Sequence, residues 1–126
     1  HTRSFHVTGV QTCALPISTF EPAALDRLTK REPPPRGMNP YGDFDATLAT
    51  LETQLATGPY LLGARFTVAD LLWGMALRML IGFGALPATP MLSDYAARIC
   101  ARPSIARVDA TDKQLQTIHE AMAARS

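Results

Sequence analysis

Histidine and cysteine side chains in the opening segment, HTRSFHVTGVQTCALPI, are the first candidates for chemistry. Residues 1–17 hold His1, His6 and Cys13, out of three histidines and two cysteines in the whole chain. Imidazole and thiolate groups bind zinc, and a thiolate is also a nucleophile. A metal or thiol hypothesis therefore depends on whether this segment belongs to the native protein.

The opening segment has a different origin. Val7–Ile17 match the translation, in one reading frame, of a common sequencing-library adapter, and His1–Arg3 match the start of the same oligonucleotide. The segment also lacks the charged and apolar regions of a secretory signal. We interpret residues 1–18 as adapter-derived and non-native, predict that they have no fixed conformation, and expect the native gene to begin upstream. We assign the remaining residues, 19–126, to a single native domain.

Few residues after Thr19 could carry catalysis or bind a metal. Cys100 lies on an apolar stripe, which predicts an inert buried thiol, and His119 has no second ligand near it in the sequence. The sequence therefore predicts no catalytic residue, no metal site and no cofactor-binding residue in this chain.

Composition limits the class of protein further. The 126 residues are 47% hydrophobic and 18% charged with a formal net charge of +1, and Arg3 is the charged residue of the adapter-derived segment. A nearly neutral chain offers no basic surface to nucleic acid or anionic lipid, and no apolar run reaches the roughly 20 residues of a membrane span. We predict one soluble domain without nucleic-acid or membrane partners, in the cytoplasm, where a lone cysteine stays reduced.

Helical patterns cover nearly all of the chain after Thr19. A first segment, 19–32, stops at Pro33–Pro35, and the next helix ends near Gly58, which is predicted to form a left-handed cap. Later helices begin at Thr67 and near Leu92, and a last helical region follows Pro103 and becomes polar. Since no strand pattern interrupts them, the sequence predicts an all-α bundle.

The segment FTVAD, residues 66–70, predicts where the central helix begins. Thr67 is a favourable N-cap, and Asp70 stands three residues later, as in a capping box. We expect the Thr67 side chain to accept from the Asp70 N–H, and the Asp70 carboxylate to accept from the Thr67 N–H. The alternative is that Asp70 is a catalytic acid or base.

Three segments together resemble a known family. PYLLGARFTVADLLW, 59–73, resembles the core motif of the helical C-terminal domain of cytosolic glutathione transferases. ATLATLETQL, 46–55, resembles the helix before that motif, and DYAARICARPSIARV, 94–108, resembles a later one. The resemblance spans roughly Phe20 to Val108. It implies a glutathione S-transferase C-terminal-like helical bundle, with the N-terminal thioredoxin-like domain of that family missing from this chain.

The resemblance also implies that the two domains of the family have different roles. In that family the thioredoxin-like domain binds glutathione, the co-substrate, and stabilises its thiolate. The helical domain contributes a hydrophobic wall for a small electrophile and contacts of a homodimer. The chain is therefore expected to bind no glutathione and to be inactive alone. The alternative is a non-catalytic glutathione-transferase-like module for dimerisation or protein interaction.

Candidate residues for the co-substrate pocket follow from the same resemblance. Phe20 and Glu21 lie on the first helix of the domain, which lines the cleft in that family, and Trp73 lies on the central helix. Phe20 and Trp73 are alternatively core residues, and Glu21 is alternatively solvated. Arg78, on a mostly apolar helix, needs a carboxylate or carbonyl partner if it is buried, and we favour that pairing over an acidic ligand.

Overall fold

The computed structural model describes residues 19–32, 34–39 and 42–125, so the prediction for residues 1–18 lies outside the described part. Its helices, in chain order, are α1 (Glu21–Leu28), α2 (Phe44–Leu55), α3 (Val68–Gly82), α4 (Pro90–Cys100) and α5 (Pro103–Ala123). One turn of 3-10 helix, Arg36–Met38, separates α1 from α2. The described residues contain no strand beyond an isolated bridge between Tyr60 and Gly63. The predicted all-α fold is confirmed.

Helix α1 ends earlier than the sequence predicts. The Thr29 hydroxyl donates to the Leu25 carbonyl at 2.8 Å, and Lys30 has a φ of 54° in the left-handed region. A left-handed residue cannot continue an α-helix, so α1 ends at Leu28. The local conformation of Lys30 therefore ends the helix before the proline run begins.

Helix α2 begins at a capped residue and ends without the predicted left-handed glycine. The Asp43 carboxylate accepts from the Asp45 N–H at 3.1 Å, which satisfies one free donor of the first turn. Gly58 is not among the glycines with positive φ, so the prediction of a left-handed cap there is wrong. A Cβ on Gly58 would lie 3.0 Å from the Gly63 carbonyl oxygen, so a glycine fits there because two loop backbones approach closely.

Helices α3 and α4 form the centre of the bundle. They share the most extensive helix–helix contact of the described part, and α2 also packs on α4. A Cβ on Gly74 would lie 2.6 Å from the Ile99 Cβ, so the two helix axes approach more closely than any larger residue allows. The buried residues of α3 are Ala69, Asp70, Trp73, Gly74, Leu77 and Leu80.

Helix α5 is one continuous helix of 21 residues. Pro103 occupies its first turn, and Ile105 is its one buried residue. From residue 110 to residue 125 every side chain is exposed. The helical region predicted after Pro103 is thus a single helix that includes its polar part. Among the described helices, none is both long and apolar enough to cross a membrane.

Candidate functional site

The buried carboxylate of Asp70 joins three parts of the fold. Asp70 is 0% exposed, and one of its oxygens accepts from the Leu61 N–H at 2.8 Å and from the Tyr95 hydroxyl at 2.9 Å. The other oxygen accepts from the Thr67 N–H at 2.8 Å and from the Thr67 hydroxyl at 3.0 Å. Four donors satisfy the carboxylate, which explains how a charge is held in an apolar interior.

The capping box of the sequence motif forms at the start of α3. Thr67 has extended backbone angles, φ −133° and ψ 172°, and both reciprocal contacts between Thr67 and Asp70 are present. The contacts of Asp70 with Leu61 and Tyr95 reach beyond this box, to the preceding loop and to α4. The motif is therefore a tertiary junction as well as a helix cap.

The environment of Asp70 favours a structural role over proton transfer. Burial, together with the hydrogen bond to Asp70, raises the pKa of Tyr95 well above its usual range, so its hydroxyl keeps its proton and donates it in the bond to Asp70. A general base must reach a substrate proton, and the oxygens of Asp70 are enclosed and already occupied by donors. We therefore interpret Asp70 as an acceptor that fixes the fold.

Two of the three predicted pocket residues meet in an aromatic cluster. The Phe20 ring lies 5.1 Å from the Trp73 ring and stacks on the Phe44 ring at 5.2 Å, measured between centroids. Phe20 is 0% and Trp73 is 3% exposed, whereas Glu21 is exposed at the start of α1. The cluster attaches α1 and α2 to α3, so in this structure Phe20 and Trp73 are core residues and Glu21 stands apart from them.

Two arginines near the end of α4 contact the loop before α3. Arg98 donates to the Pro59 carbonyl at 2.7 Å, and the Arg102 guanidinium lies 3.7 Å from the centroid of the Phe66 ring. The Phe66 ring in turn meets the Tyr60 ring edge-on at 5.8 Å. Cation–π and charge-assisted bonds of this kind fix the loop in place. These partners were not predicted from the sequence, although both arginines lie within the segment that resembles the family.

The outer face of α3 is an extended apolar surface. Val68, Met79 and Phe83 are 63%, 44% and 70% exposed, and Leu72 and Met75 between them are half-buried. Intervals of three and four residues place all five on one side of the helix, over about 22 Å. A continuous apolar face of this kind indicates a contact surface for an apolar ligand or a protein partner.

A second surface feature is a cleft of about 530 Å³ between α1 and the start of α2. Its volume is that of a small-molecule site, and half of its ten lining residues carry a charge. Arg27 forms an ion pair with Asp45 at 2.8 Å and lies 4.8 Å from the centroid of the Phe44 ring. The lining residues are Ala23, Asp26, Arg27, Arg31, Pro34, Asn39, Gly42, Asp43, Phe44 and Asp45. The cleft shares only Phe44 with the aromatic cluster.

Arg78 has the carboxylate partner that the sequence analysis favoured. Its two terminal nitrogens donate to the two oxygens of Asp109 at 2.7 and 3.0 Å, which links α3 to α5. This bidentate bond lowers the pKa of the Asp109 carboxyl and raises that of Arg78. Both side chains remain partly exposed, so solvent weakens the pair.

We expect the Arg78–Asp109 pair to make stability depend on pH. Because folding lowers the pKa of Asp109 from its ordinary value of 3.8, the pair stabilises the protein above that value. The stabilisation is lost as the pH falls through the lower, folded-state value. Thermal unfolding should show Asp109→Asn less stable than the unchanged chain at pH 7, and the two should converge in strong acid. Asp94→Asn, at an exposed position of α4, is the control and should show no such difference at pH 7. Equal melting temperatures of Asp109→Asn and the unchanged chain at pH 7 would contradict the prediction.

The remaining candidate residues, Cys100 and His119, belong neither to the Asp70 junction nor to the aromatic cluster. Cys100 is the last residue of α4 and is partly exposed rather than buried, so the prediction of a buried thiol is wrong. His119 lies on the exposed part of α5. Within the described ranges, no group of three or more His, Cys, Asp or Glu side chains is placed to hold a metal ion.

Comparisons with known proteins agree with this architecture. Residues 41–98 match the family model described as "Glutathione S-transferase, C-terminal domain". These residues include α2, α3, the Asp70 junction and most of α4. The fold is therefore an all-α bundle of the glutathione S-transferase C-terminal type, and the match supports a glutathione transferase-like domain.

Curated relatives match a shorter stretch. Proteins named 2,5-dichlorohydroquinone reductive dechlorinase, from two strains of Sphingobium indicum (B90A and UT26), are each 39% identical to the chain over 56 residues. The alignment covers 40% of this chain and 16% of each relative. The matched stretch is thus a small part of those proteins. No solved structure matches the chain at comparable significance.

Proposed function

We propose that this chain is the helical domain of a cytoplasmic glutathione transferase. In this proposal it provides a hydrophobic wall for an electrophilic co-substrate, contributes contacts of a homodimer, and docks against a thioredoxin-like domain that binds glutathione. The observation that carries the proposal is the apolar outer face of α3. The Asp70 junction fixes the start of that helix, within the segment that matches the family model.

In this proposal, another part of the protein packs against the apolar outer face of α3. One side of α3 is buried in the bundle, while Val68, Met79 and Phe83 continue the apolar surface on its other side. A helix that is apolar nearly all round is normally enclosed by protein on every side. A second domain resting near this face would create an apolar cleft at a domain boundary, where small-molecule sites commonly occur.

The proposed division of chemistry follows from what the described residues offer. Glutathione becomes a nucleophile when hydrogen-bond donors lower the pKa of its thiol. In the proposal these donors come from the thioredoxin-like domain, while the apolar face of α3 excludes water and holds the electrophile.

The curated relatives narrow the class of electrophile. Their name describes reductive removal of chlorine from a chlorinated hydroquinone. Within the proposal, this favours a halogenated aromatic ring, whose flat apolar surface suits the side chains of Leu72, Met75 and Phe83. Because the shared stretch lies in the helical part, it supports a similar wall rather than a similar reaction.

The alternative is a non-catalytic module for dimerisation or protein interaction. Phe20 and Trp73, the predicted pocket residues, are packed in the core and offer no surface to a ligand. This observation favours a domain whose outer face of α3 meets protein rather than a small molecule.

Glutathione binding and turnover distinguish the two functions. We expect the purified chain to show no saturable binding of glutathione in calorimetry and no conjugation of chlorodinitrobenzene. Joined to the thioredoxin-like domain of a glutathione transferase, it should gain both. Met79→Glu should then raise KM for the electrophile about tenfold or more, because a charge enters the apolar wall. Thr117→Glu, at an exposed position of α5, is the matched control and should leave KM unchanged. Turnover by the chain alone would contradict the proposal, and a folded but inactive joined protein would favour the non-catalytic module.

A further inference from the structure

The cleft between α1 and the start of α2 has walls that contacts within the chain hold in place. Arg27 of α1 and Asp45 of α2 form the ion pair that joins the two helices across it. In the connecting loop, the Asn39 side chain donates to the Gly42 carbonyl at 2.9 Å, and both residues line the cleft. The cleft is therefore largely pre-formed, as small-molecule sites usually are.

The most buried lining residues of the cleft are apolar. Ala23 and Phe44 are 5% and 7% exposed. Phe20 stacks on the Phe44 ring at 5.2 Å, and the Arg27 guanidinium lies 4.8 Å from the centroid of the same ring. Since these contacts already use the Phe44 ring, an aliphatic group suits this part of the cleft better than a second flat ring.

The charged lining residues offer both signs to a ligand. Arg27 is held by Asp45, but no hydrogen bond or ion pair joins the Arg31 guanidinium to another described residue. A guanidinium in this state can bind a carboxylate through two parallel bonds. Asp43 accepts from the Asp45 N–H at 3.1 Å, and a carboxylate has room for further donors, such as an ammonium group.

The combination of charges selects the class of ligand. A ligand with only negative charge would bind Arg31 but would be repelled by three aspartates in the same lining, Asp26, Asp43 and Asp45. A ligand with only positive charge would leave the Arg31 guanidinium without an anion. A zwitterion that carries one carboxylate and one ammonium group satisfies both kinds of residue.

We propose that this cleft binds a free α-amino acid with an aliphatic side chain. The carboxylate of the amino acid is bound by Arg31, its ammonium group by Asp43, and its side chain lies against Ala23 and Phe44. All ten lining residues lie between positions 23 and 45, so α3 contributes none of them. The proposal therefore does not depend on the proposed glutathione-dependent function, which uses the outer face of α3.

Calorimetric titration of the full chain with leucine tests the proposal. We expect saturable binding of leucine. N-acetylleucine keeps the carboxylate but loses the positive charge, and leucinamide keeps the ammonium group but loses the negative charge. Each should bind at least about tenfold more weakly than leucine, because one end of the ligand then lacks its charged partner. Equal binding of either analogue would contradict the zwitterion.

Two substitutions test the assigned residues. Arg31→Gln removes the guanidinium and Asp43→Asn removes the negative charge, and asparagine still caps α2. Each should raise Kd for leucine at least about tenfold. Arg65→Gln and Asp112→Asn make the same changes at exposed positions outside the cleft and should leave Kd unchanged. Circular dichroism should show that all four variants keep their helices.

Nuclear magnetic resonance locates the bound leucine. On addition of leucine, the side-chain amide signals of Asn39 and the backbone amide signal of Gly42 should shift, since both residues line the cleft. The side-chain amide signals of Gln116, on the exposed part of α5, should not. A chain that does not bind leucine, or variants Arg31→Gln and Asp43→Asn that bind it as tightly as the unchanged chain, would overturn the proposal.

Discussion

Asp70→Ala should lower the free energy of unfolding by about 3 to 5 kcal/mol, because the substitution leaves several buried donors unpaired. The Leu61 and Thr67 N–H groups and the Tyr95 hydroxyl all lose their acceptor at once. Urea unfolding can be followed through Trp73, the single tryptophan, which is buried in the core. A loss of this size is a large part of the stability of a small domain.

Two related variants separate the contributions at this junction. Tyr95→Phe removes one donor and leaves the carboxylate with three, so we expect a smaller loss of about 1 to 2 kcal/mol. Asp70→Asn keeps the shape but turns an N–H₂ group toward N–H and hydroxyl donors, so it should cost nearly as much as alanine. Asp94→Ala, at an exposed position of α4, is the control. An unchanged urea midpoint for Asp70→Ala would show that the junction does not stabilise the fold.

Gly74→Ala should be the second strongly destabilising substitution, with an expected loss of about 2 to 4 kcal/mol. The new Cβ would lie 2.6 Å from both the Cβ and the Cγ2 of Ile99, so α3 and α4 must move apart. Alanine favours a helix over glycine by roughly 0.5 to 1 kcal/mol, which offsets only a small part of this cost. Urea unfolding measures the difference.

The origin of this effect can be tested with a double variant. Ile99→Ala makes room for the added methyl group, so Gly74→Ala should cost much less in that background than alone. Gly82→Ala is the matched control, because a Cβ there has no atom within 4 Å and the same helix gains a better helix former. If the losses of Gly74→Ala and Ile99→Ala simply added, steric contact between the two helices would not be the cause.

Local patterns in the sequence predicted the local parts of the structure. The capping box at Thr67 depends on residues three positions apart, and the apolar intervals of α2 and α4 follow from helical periodicity. Tyr95 could not be identified as a partner of Asp70, because 25 residues separate them and no spacing rule connects them. A signal did exist for the close contact of α3 with α4, since Gly74 interrupts a mostly apolar helix.

Other differences come from backbone conformations that side-chain patterns do not encode. Lys30 adopts positive φ although lysine has no preference for it, so the end of α1 could not be read from propensity. Gly58 was expected to supply a left-handed cap, but its lack of a side chain instead allows close contact with Gly63. The candidate pocket could not be located either, because the burial of Phe20 and Trp73 depends on how α1, α2 and α3 meet.

The hydrogen bonds of Asp70 join residues that are close along the chain, which bears on the order of folding. Its partners lie only 3, 9 and 25 residues away along the chain, so the loops that close to form this junction are short. Short loops lose little chain entropy on closure, and contacts between nearby residues form fast. The segment from the loop at Leu61 to the middle of α4 is thus suited to act as the folding nucleus, onto which α1 and α5 dock afterwards.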